Sequence, residues 1–401
     1  MSTFRPDFLW GASSAPHQIE GNNLASDWWK SEAMMPGMEP SGDAVDSYHR
    51  YREDMQLLAD AGLDTYRFGI EWARIEPRQG HVSWAELAHY RRMIDTAFEL
   101  GLTPVITLNH FTIPLWFADE GGWAGDTALE RWTFYVDTVM PILTGVEWII
   151  TFNEPNMLSM MIKAQQMFTS GDMGDWVSPT VEDEPDSGRA AMLPDPDPVI
   201  GRRFIELHRA VRDTIRERTG AKVGWSIACL ALTATPGNEE KLVSVRYDWE
   251  DLYLEASRED DFLGVQAYSS QAVDENGLVA HPPHPDNTLT GAAYRPDALG
   301  MAVRHAAEVA GVPILVTENG IATADDTRRI AYTEGALAGL ADAVADGIDV
   351  RGYLHWSILD NYEWGHWGPT FGLIAVDRTT FVRIPKPSLY WLGQRAGAHR
   401  Q

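Results

Sequence analysis

The chain of 401 residues contains one cysteine, Cys229. A single thiol forms no intrachain disulfide, and it excludes a structural zinc site built on several cysteines. No run of about 18 apolar residues occurs, so no transmembrane helix is expected. Residues Met1 to Phe8 carry Arg5, Pro6 and Asp7 where a secretory leader would be apolar, so a cytoplasmic location is expected. Basic residues are scarce: 32 Lys and Arg stand against 58 Asp and Glu, a formal net charge of −26 at pH 7. So acidic a surface repels phosphate backbones and anionic lipid headgroups, and neither nucleic acid nor membrane is an expected partner. The hydrophobic share of 44% is ordinary for a globular chain and excludes general disorder.

What is present is an alternation. Short apolar runs of strand length recur at Phe8–Gly11, Thr65–Ile70, Pro104–Leu108, Glu147–Phe152, Lys222–Ile227, Phe262–Ala267, Pro313–Thr317 and Gly352–Trp356. Between them lie stretches with helical spacing. Tyr48, Tyr51, Met55, Leu58 and Ala59 form one, stopping near Gly62. Trp84, Leu87, Tyr90, Ile94, Ala97 and Phe98 form another, and Phe204, Leu207, His208 and Val211 a third. Strand–helix repetition implies parallel strands with crossover helices. The length allows two or three ordinary domains or one α/β barrel with insertions. An open dinucleotide-binding sheet would show a Gly-rich turn after its first strand, and Gly11-Ala12-Ser13-Ser14-Ala15-Pro16 lacks it. The expectation is therefore an α/β fold, a single (β/α)8 barrel spanning residues 1–401.

Two segments break the rhythm. Asp172 to Asp197 holds eight acidic residues and one basic residue, Arg189. It reads as a long acidic loop at about 170–198, either simply solvated or a lid that shapes a substrate entrance. His281-Pro282-Pro283-His284-Pro285 is a second loop, whose prolines hold the histidines apart, so no metal is expected there. The methionines after Pro155 (Met157, Met160, Met161, Met167) fit a helix core, with a pliable pocket wall as the alternative. Nothing in the pattern specifies an oligomeric state.

In such a barrel the active site sits at the C-terminal ends of the strands. The first run leads to Gln18 and Glu20, and the second contains Arg67 and ends at Glu71 and Trp72. The third ends at Asn109 and His110, the fourth at Asn153 and Glu154, the sixth at Gln266 and Tyr268, the seventh at Glu318 and Asn319. The eighth ends at His355 and Trp356 and leads to Asp360, Asn361, Glu363 and Trp364. Metal hydrolysis needs several His and Asp ligands, and phosphate chemistry needs Gly-rich loops or clustered cations; the rim offers neither. Amides, carboxylates and indoles instead suit a sugar, whose hydroxyls pair with the polar groups while its C–H face packs on Trp. Glu154 and Glu318 end strands three positions apart in an eight-membered ring. Glycosidic cleavage needs such a pair, one to protonate the leaving oxygen and one to attack or to activate water.

The motifs around these residues resemble glycoside hydrolase family 1, the retaining β-glucosidases and β-galactosidases, from Phe8 to about Trp391. The resemblance is carried by Phe8-Leu9-Trp10-Gly11 with Gln18-Ile19-Glu20-Gly21, by Tyr66 through Trp72, by Thr151-Phe152-Asn153-Glu154-Pro155 and by Val316-Thr317-Glu318-Asn319-Gly320. Trp356 through Glu363-Trp364 and Arg383-Ile384-Pro385-Lys386-Pro387-Ser388 extend it. It implies that Glu154 is the general acid/base and Glu318 the nucleophile, with Arg67, Tyr268 and Asn153 in support. It implies that Gln18, His110, Asn153, Glu363 and Trp364 hold the sugar hydroxyls above a floor of Trp356, and that no cofactor is needed. The implied activity is that of a retaining exo-β-glycosidase on small-molecule β-glycosides, β-glucosides first, with β-galactosides or β-fucosides also open. A transglycosidase using the same residues is an alternative, as is a non-catalytic sugar-binding barrel. Two positions depart from the family pattern: Phe111 stands where Trp is usual, and Gln266-Ala267-Tyr268 replaces Asn-Tyr-Tyr. The stretch Gly365 to Thr370 lacks the Ser and Lys expected of enzymes acting on 6-phosphorylated sugars.

Overall fold

The computed structural model describes residues 4–170 and 194–400. Eight parallel strands close into a barrel in the order of the chain: β1 (Leu9–Ser13), β2 (Thr65–Gly69), β3 (Thr103–Asn109), β4 (Trp148–Asn153), β5 (Lys222–Ala228), β6 (Leu263–Gln266), β7 (Ile314–Asn319) and β8 (Val350–Trp356). The last strand pairs with the first, Leu9 opposite Gly352 and Ser13 opposite Trp356, so no edge is left open. Helices cross over outside the strands, as the apolar spacing requires. Ser47–Ala61 stops at Gly62, whose φ of 93° is the left-handed conformation that glycine adopts without a Cβ clash. Trp84–Glu99 begins at Ser83, whose side chain accepts the Glu86 N–H. Leu87, Tyr90, Ile94 and Ala97 are buried along that helix, but Trp84 is 78% exposed. The spacing that assigned Trp84 to the helix holds, but its first position lies beyond the covered face.

The strands carry two sets of apolar side chains. One packs against the helices. The other, Val105, Trp148, Ile150, Phe262, Leu315 and Leu354, forms a separate buried cluster. Its members alternate along their strands with residues that face the helices, so it fills the barrel's interior and makes it a packed core rather than a pore. One inward step further along the same strands the filling turns polar: Thr107 follows Val105, Gly264 follows Phe262, and Thr317 follows Leu315. Arg67 of β2 and Ser226 of β5 join that level, and all of these residues are buried.

The loops complete the frame. Met160 of the helix Pro155–Ser170 is buried with Leu232, Val245, Trp249 and Val273, which fits the core reading of the methionines. Most of the acidic segment, residues 171–193, lies outside the described residues. Its readable end is docked: the Asp195 carboxylate accepts the Trp249 indole N–H at 2.8 Å, and Asp197 caps the helix Pro198–Thr219. Among the described residues no helix is long and apolar enough to cross a membrane.

The chain's C-terminal segment is stapled to its beginning by a buried ion pair. The Arg383 guanidinium donates to both oxygens of Asp54 at 2.7 and 3.1 Å, and a second donor to Asp54, the Ser47 hydroxyl, lies at 2.7 Å. Truncating Arg383 strands a desolvated carboxyl beneath the helix Ser47–Ala61. The variant Arg383→Ala is expected to lose about 3–5 kcal/mol of unfolding free energy in urea titrations. A loss below about 1 kcal/mol would show that the C-terminal segment is held by its apolar contacts alone.

Candidate active site

The site is organised around Arg67. Its strand position points inward, its side chain is fully buried, and each nitrogen is engaged. Nε donates to the Thr107 hydroxyl at 3.0 Å, Nη2 to Oδ1 of Asn153 at 2.5 Å, and Nη1 to Oε1 of Glu318 at 2.5 Å. The other oxygen of Glu318 accepts the Tyr268 hydroxyl at 2.5 Å. Tyr268 is braced in turn, its backbone carbonyl accepting the Tyr332 hydroxyl at 2.7 Å. Glu318 thus holds two donors on two oxygens, a geometry that fixes its plane and favours its anion.

Glu154 differs. It follows β4 with φ of 46°, the left-handed region that costs a non-glycine residue about 1–2 kcal/mol. Its N–H donates to the Ser226 carbonyl at 2.7 Å, so the chain turns here while remaining tied to β5. Its carboxyl has no hydrogen-bond partner among the described residues. Burial pushes that carboxyl well above the usual carboxylate range, and the charge of Glu318 pushes it further, against a smaller opposing pull from Arg67. Burial also raises Glu318, but Arg67 and Tyr268 oppose the rise. Of the two, Glu318 ionises first and Glu154 keeps its proton.

The sugar-holding set from the sequence is largely brought together. Gln18 donates to the Tyr362 carbonyl at 2.7 Å and to Asn361 and Glu363 at 3.2 Å each. Its own Oε1 is buried without a protein partner, free to accept a hydroxyl. Glu363 takes the Trp356 indole N–H at 3.3 Å on its other oxygen, and burial raises its carboxyl to about 8. His110 lies between Trp356 and Trp364, with ring centroids 5.9 and 6.1 Å away and planes within 25° of parallel. Burial, and then Arg67, hold its imidazole neutral. The Trp356–Ser357 peptide bond is cis. Phe111, where Trp is usual in the family, packs edge-on against Trp364 at 5.0 Å, so an aromatic contact survives the change. It shares with Trp364 the left-handed backbone seen at Glu154, with φ of 68° and 45°. Asn153 spends Oδ1 on Arg67 and on Gln266, the latter at 2.9 Å, leaving its NH2 uncommitted.

Other polar strand ends serve the frame. Glu20 binds Arg74 and the Tyr90 hydroxyl, and Glu71 accepts the Thr112 hydroxyl at 2.7 Å. Asn109 donates to the Thr112 carbonyl, His355 contacts the Phe371 carbonyl, and Asn319 bridges Ala267 and Tyr353. Asp360 pairs with Lys386. Sequence spacing alone does not separate these from the site residues, because it fixes which face a side chain takes and not which neighbour meets it. Thr107, Tyr332, Asn361 and Tyr362 hold the site's groups in place without having been singled out for that task. Asn361 carried a signal as one of the polar residues after the eighth strand, and Thr107 one by lying two residues before Asn109 and so on the same strand face.

The sequence pattern described as Glycosyl hydrolase family 1 matches residues 1–181 and 249–400. The thermostable β-glucosidase B of Thermobispora bispora is 29% identical, over 97% of this chain and 89% of that protein. Among solved structures, β-glycosidase BGL167 is 40% identical with a TM-score of 0.87, covering 100% of this chain and 98% of that one. The β-glycosidase from Pyrococcus horikoshii is 30% identical with a TM-score of 0.85, covering 100% and 96%. The chain belongs to glycosyl hydrolase family 1 and is a glycoside hydrolase, an enzyme that cleaves O-glycosyl bonds with retention at the anomeric carbon.

Proposed function

We propose that the protein is an exo-acting β-glycosidase of small β-glycosides, β-glucosides first, in which Glu318 is the nucleophile and Glu154 the acid/base. The observation that carries this reading is the asymmetry of the two carboxyls. Both oxygens of Glu318 are held by cationic or hydroxyl donors, while Glu154 is without a hydrogen-bond partner, half-buried and under the negative field of its partner. Double displacement needs this division of labour.

In the first step the Glu318 carboxylate attacks the anomeric carbon as Glu154 gives its proton to the departing oxygen. Positive charge grows on the ring, and the free NH2 of Asn153 donates to the 2-hydroxyl, a bond that strengthens as that charge develops. Forming the glycosyl ester removes the charge on Glu318. The repulsion that raised Glu154 is then relieved, so the carboxylate left by proton transfer is stable enough to act as base. In the second step Glu154 takes a proton from water, the resulting oxygen nucleophile forms the new C–O bond, and the ester bond to Glu318 breaks. One pair of carboxyls thus runs both halves, with the proton on Glu154 and the charge on Glu318 restored together.

Gln18, His110, Glu363 and Trp364 would hold the hydroxyl-bearing edge of the sugar over Trp356. The buried Oε1 of Gln18, an acceptor, and the carboxyl of Glu363, able to donate or accept, support this. Such a set reads vicinal hydroxyls and tolerates either configuration at the fourth carbon, which supports activity on β-galactosides and β-fucosides beside β-glucosides.

Glu318→Gly is expected to lower hydrolysis of an aryl β-glucoside by about 10⁴-fold or more while sugar binding persists. Near wild-type turnover in that variant would falsify the nucleophile assignment. Glu154→Ala is expected to keep the first step with activated aryl leaving groups and to regain turnover with azide, yielding the β-glycosyl azide. Absence of azide rescue counts against the acid/base role. The rate kcat/KM should be bell-shaped in pH. It falls as pH drops through the Glu318 ionisation, which leaves no anion to attack, and as pH rises through that of Glu154, which leaves no proton to give. With Glu154→Gln and an activated substrate the alkaline limb should vanish and the acid limb remain; persistence of both limbs would assign the high-pH group elsewhere.

A further inference from the structure

Where β4 ends, its neighbour β5 is left without backbone partners. Asn153 is in register with Ser226, and the next residue, Glu154, still gives its N–H to the Ser226 carbonyl at 2.7 Å. In a parallel ladder the Glu154 carbonyl would then accept the N–H of Ala228, two residues further along β5. Instead the chain turns, and that carbonyl accepts the Leu158 N–H at 3.0 Å as the opening bond of the helix Pro155–Ser170. Ala228 is buried, and an unpaired backbone group there would be costly. The side chain of Asn156 supplies what the backbone withdraws. Its Oδ1 accepts the Ala228 N–H at 3.3 Å, and its Nδ2 donates to the Ala228 carbonyl at 2.8 Å. The same Nδ2 donates to the Trp249 carbonyl at 2.8 Å, in the π-helical turn Tyr247–Asp251. Asn156 is fully buried, and these bonds engage its one oxygen and both amide hydrogens.

We infer that Asn156 is the positioning residue of Glu154: its amide replaces the missing strand pairing and clamps the turn that aims the Glu154 carboxyl. Two features call for a clamp. The first is the backbone of Glu154, whose φ of 46° persists in a non-glycine residue only where its surroundings hold it. The second is the carboxyl itself, which has no hydrogen-bond partner among the described residues, whereas Glu318 is gripped by Arg67 and Tyr268. The place of the Glu154 carboxyl is therefore set through its backbone. That backbone is tied to β5 on both sides of the turn, at the Ser226 carbonyl before it and at Ala228 after it. The arrangement suits a group that gives up a proton and takes it back. A donor or acceptor fixed on the carboxyl would compete with the leaving oxygen, and a grip two residues further on does not. Asn156 thus acts on the reaction through the chain it holds and touches none of the reacting atoms.

This inference rests on the reading of Glu154 as the acid/base, and the test separates the two. Asn156→Ala and Asn156→Asp are compared with wild type and with Glu154→Ala. The Asp variant keeps the shape and the acceptor for the Ala228 N–H but loses both donors. Each enzyme is assayed on a dinitrophenyl β-glucoside, whose leaving group departs without a proton, and on the phenyl β-glucoside, whose leaving group needs one. Rates are divided by the number of active sites counted with a fluorosugar that traps the glycosyl-enzyme, so a partly unfolded preparation does not distort them. In both Asn156 variants kcat/KM for the phenyl substrate should fall by about ten- to a hundredfold, the effect of a displacement of about 1 Å, while the dinitrophenyl substrate stays within about threefold. Unchanged kinetics, an equal loss on both substrates, or no trappable sites in either variant would overturn the inference alone if Glu154→Ala shows the selective loss. An equal loss on both substrates in Glu154→Ala would overturn it together with the acid/base reading.

Discussion

One buried guanidinium sets the terms for the rest of the site. Arg67 lies inside the barrel, out of water, where an unpaired charge is untenable. It is compensated by one anion, Glu318, and two neutral acceptors, Thr107 and Asn153. Those three lie on β7, β3 and β4, so a single side chain from β2 ties half the ring together. Its charge also opposes the effect of burial on Glu318, and its grip on Asn153 decides which end of that amide is left unbonded. Any displacement of Arg67 would change a charge, an orientation and a strand register at once.

The carboxyl pair shows how similar groups come to differ in ionisation without different chemistry. Burial raises both, and neighbours then separate them. Glu318 receives two strong donors; Glu154 receives the field of Glu318 and a strained backbone that leaves its carboxyl unbonded. Because each carboxyl's ionisation depends on the other's charge, loss of the charge on Glu318 would lower the proton affinity of Glu154. That coupling needs no moving part, only two acidic groups that feel each other's charge in a low dielectric.

The barrel's interior is layered by function. An apolar cluster fills it from below, and a polar level of Arg67, Thr107, Ser226 and Thr317 follows one strand step higher. Above that come Asn153, Gln266, Glu318 and Trp356. The strand period of two forms the lower levels, since alternate residues point inward while those between them pack against helices, and register shifts in β4 before Asn153 and in β7 before Glu318 bring these two residues into the upper level out of that alternation. Rigidity comes from the lower level and chemistry from the upper, with hydrogen bonds passing orientation from one to the other.

Alternating apolar runs and helical spacing were enough to read eight strand–helix units and a closed barrel, because burial patterns are local and periodic. The two glutamates were legible for a related reason: each ends a strand, and strands in such a barrel end at one rim. Trp84 marks the limit of that reading, since spacing assigns a face but not whether anything covers it. Glu20, Glu71, Asn109, Asn319 and His355 mark another, being rim residues by position and structural ones by contact. Gln266 stood out as a polar strand end and as a departure, but its partner on β4 lies 113 residues away in the chain. The sequence by itself determined the architecture and the chemical inventory of the rim, since both follow from periodicity along one segment. Which carboxyl ionises, which amide end is left unbonded and which polar groups merely brace the frame were decided by the tertiary structure, because those properties arise from donors and charges that meet only when distant strands close the ring.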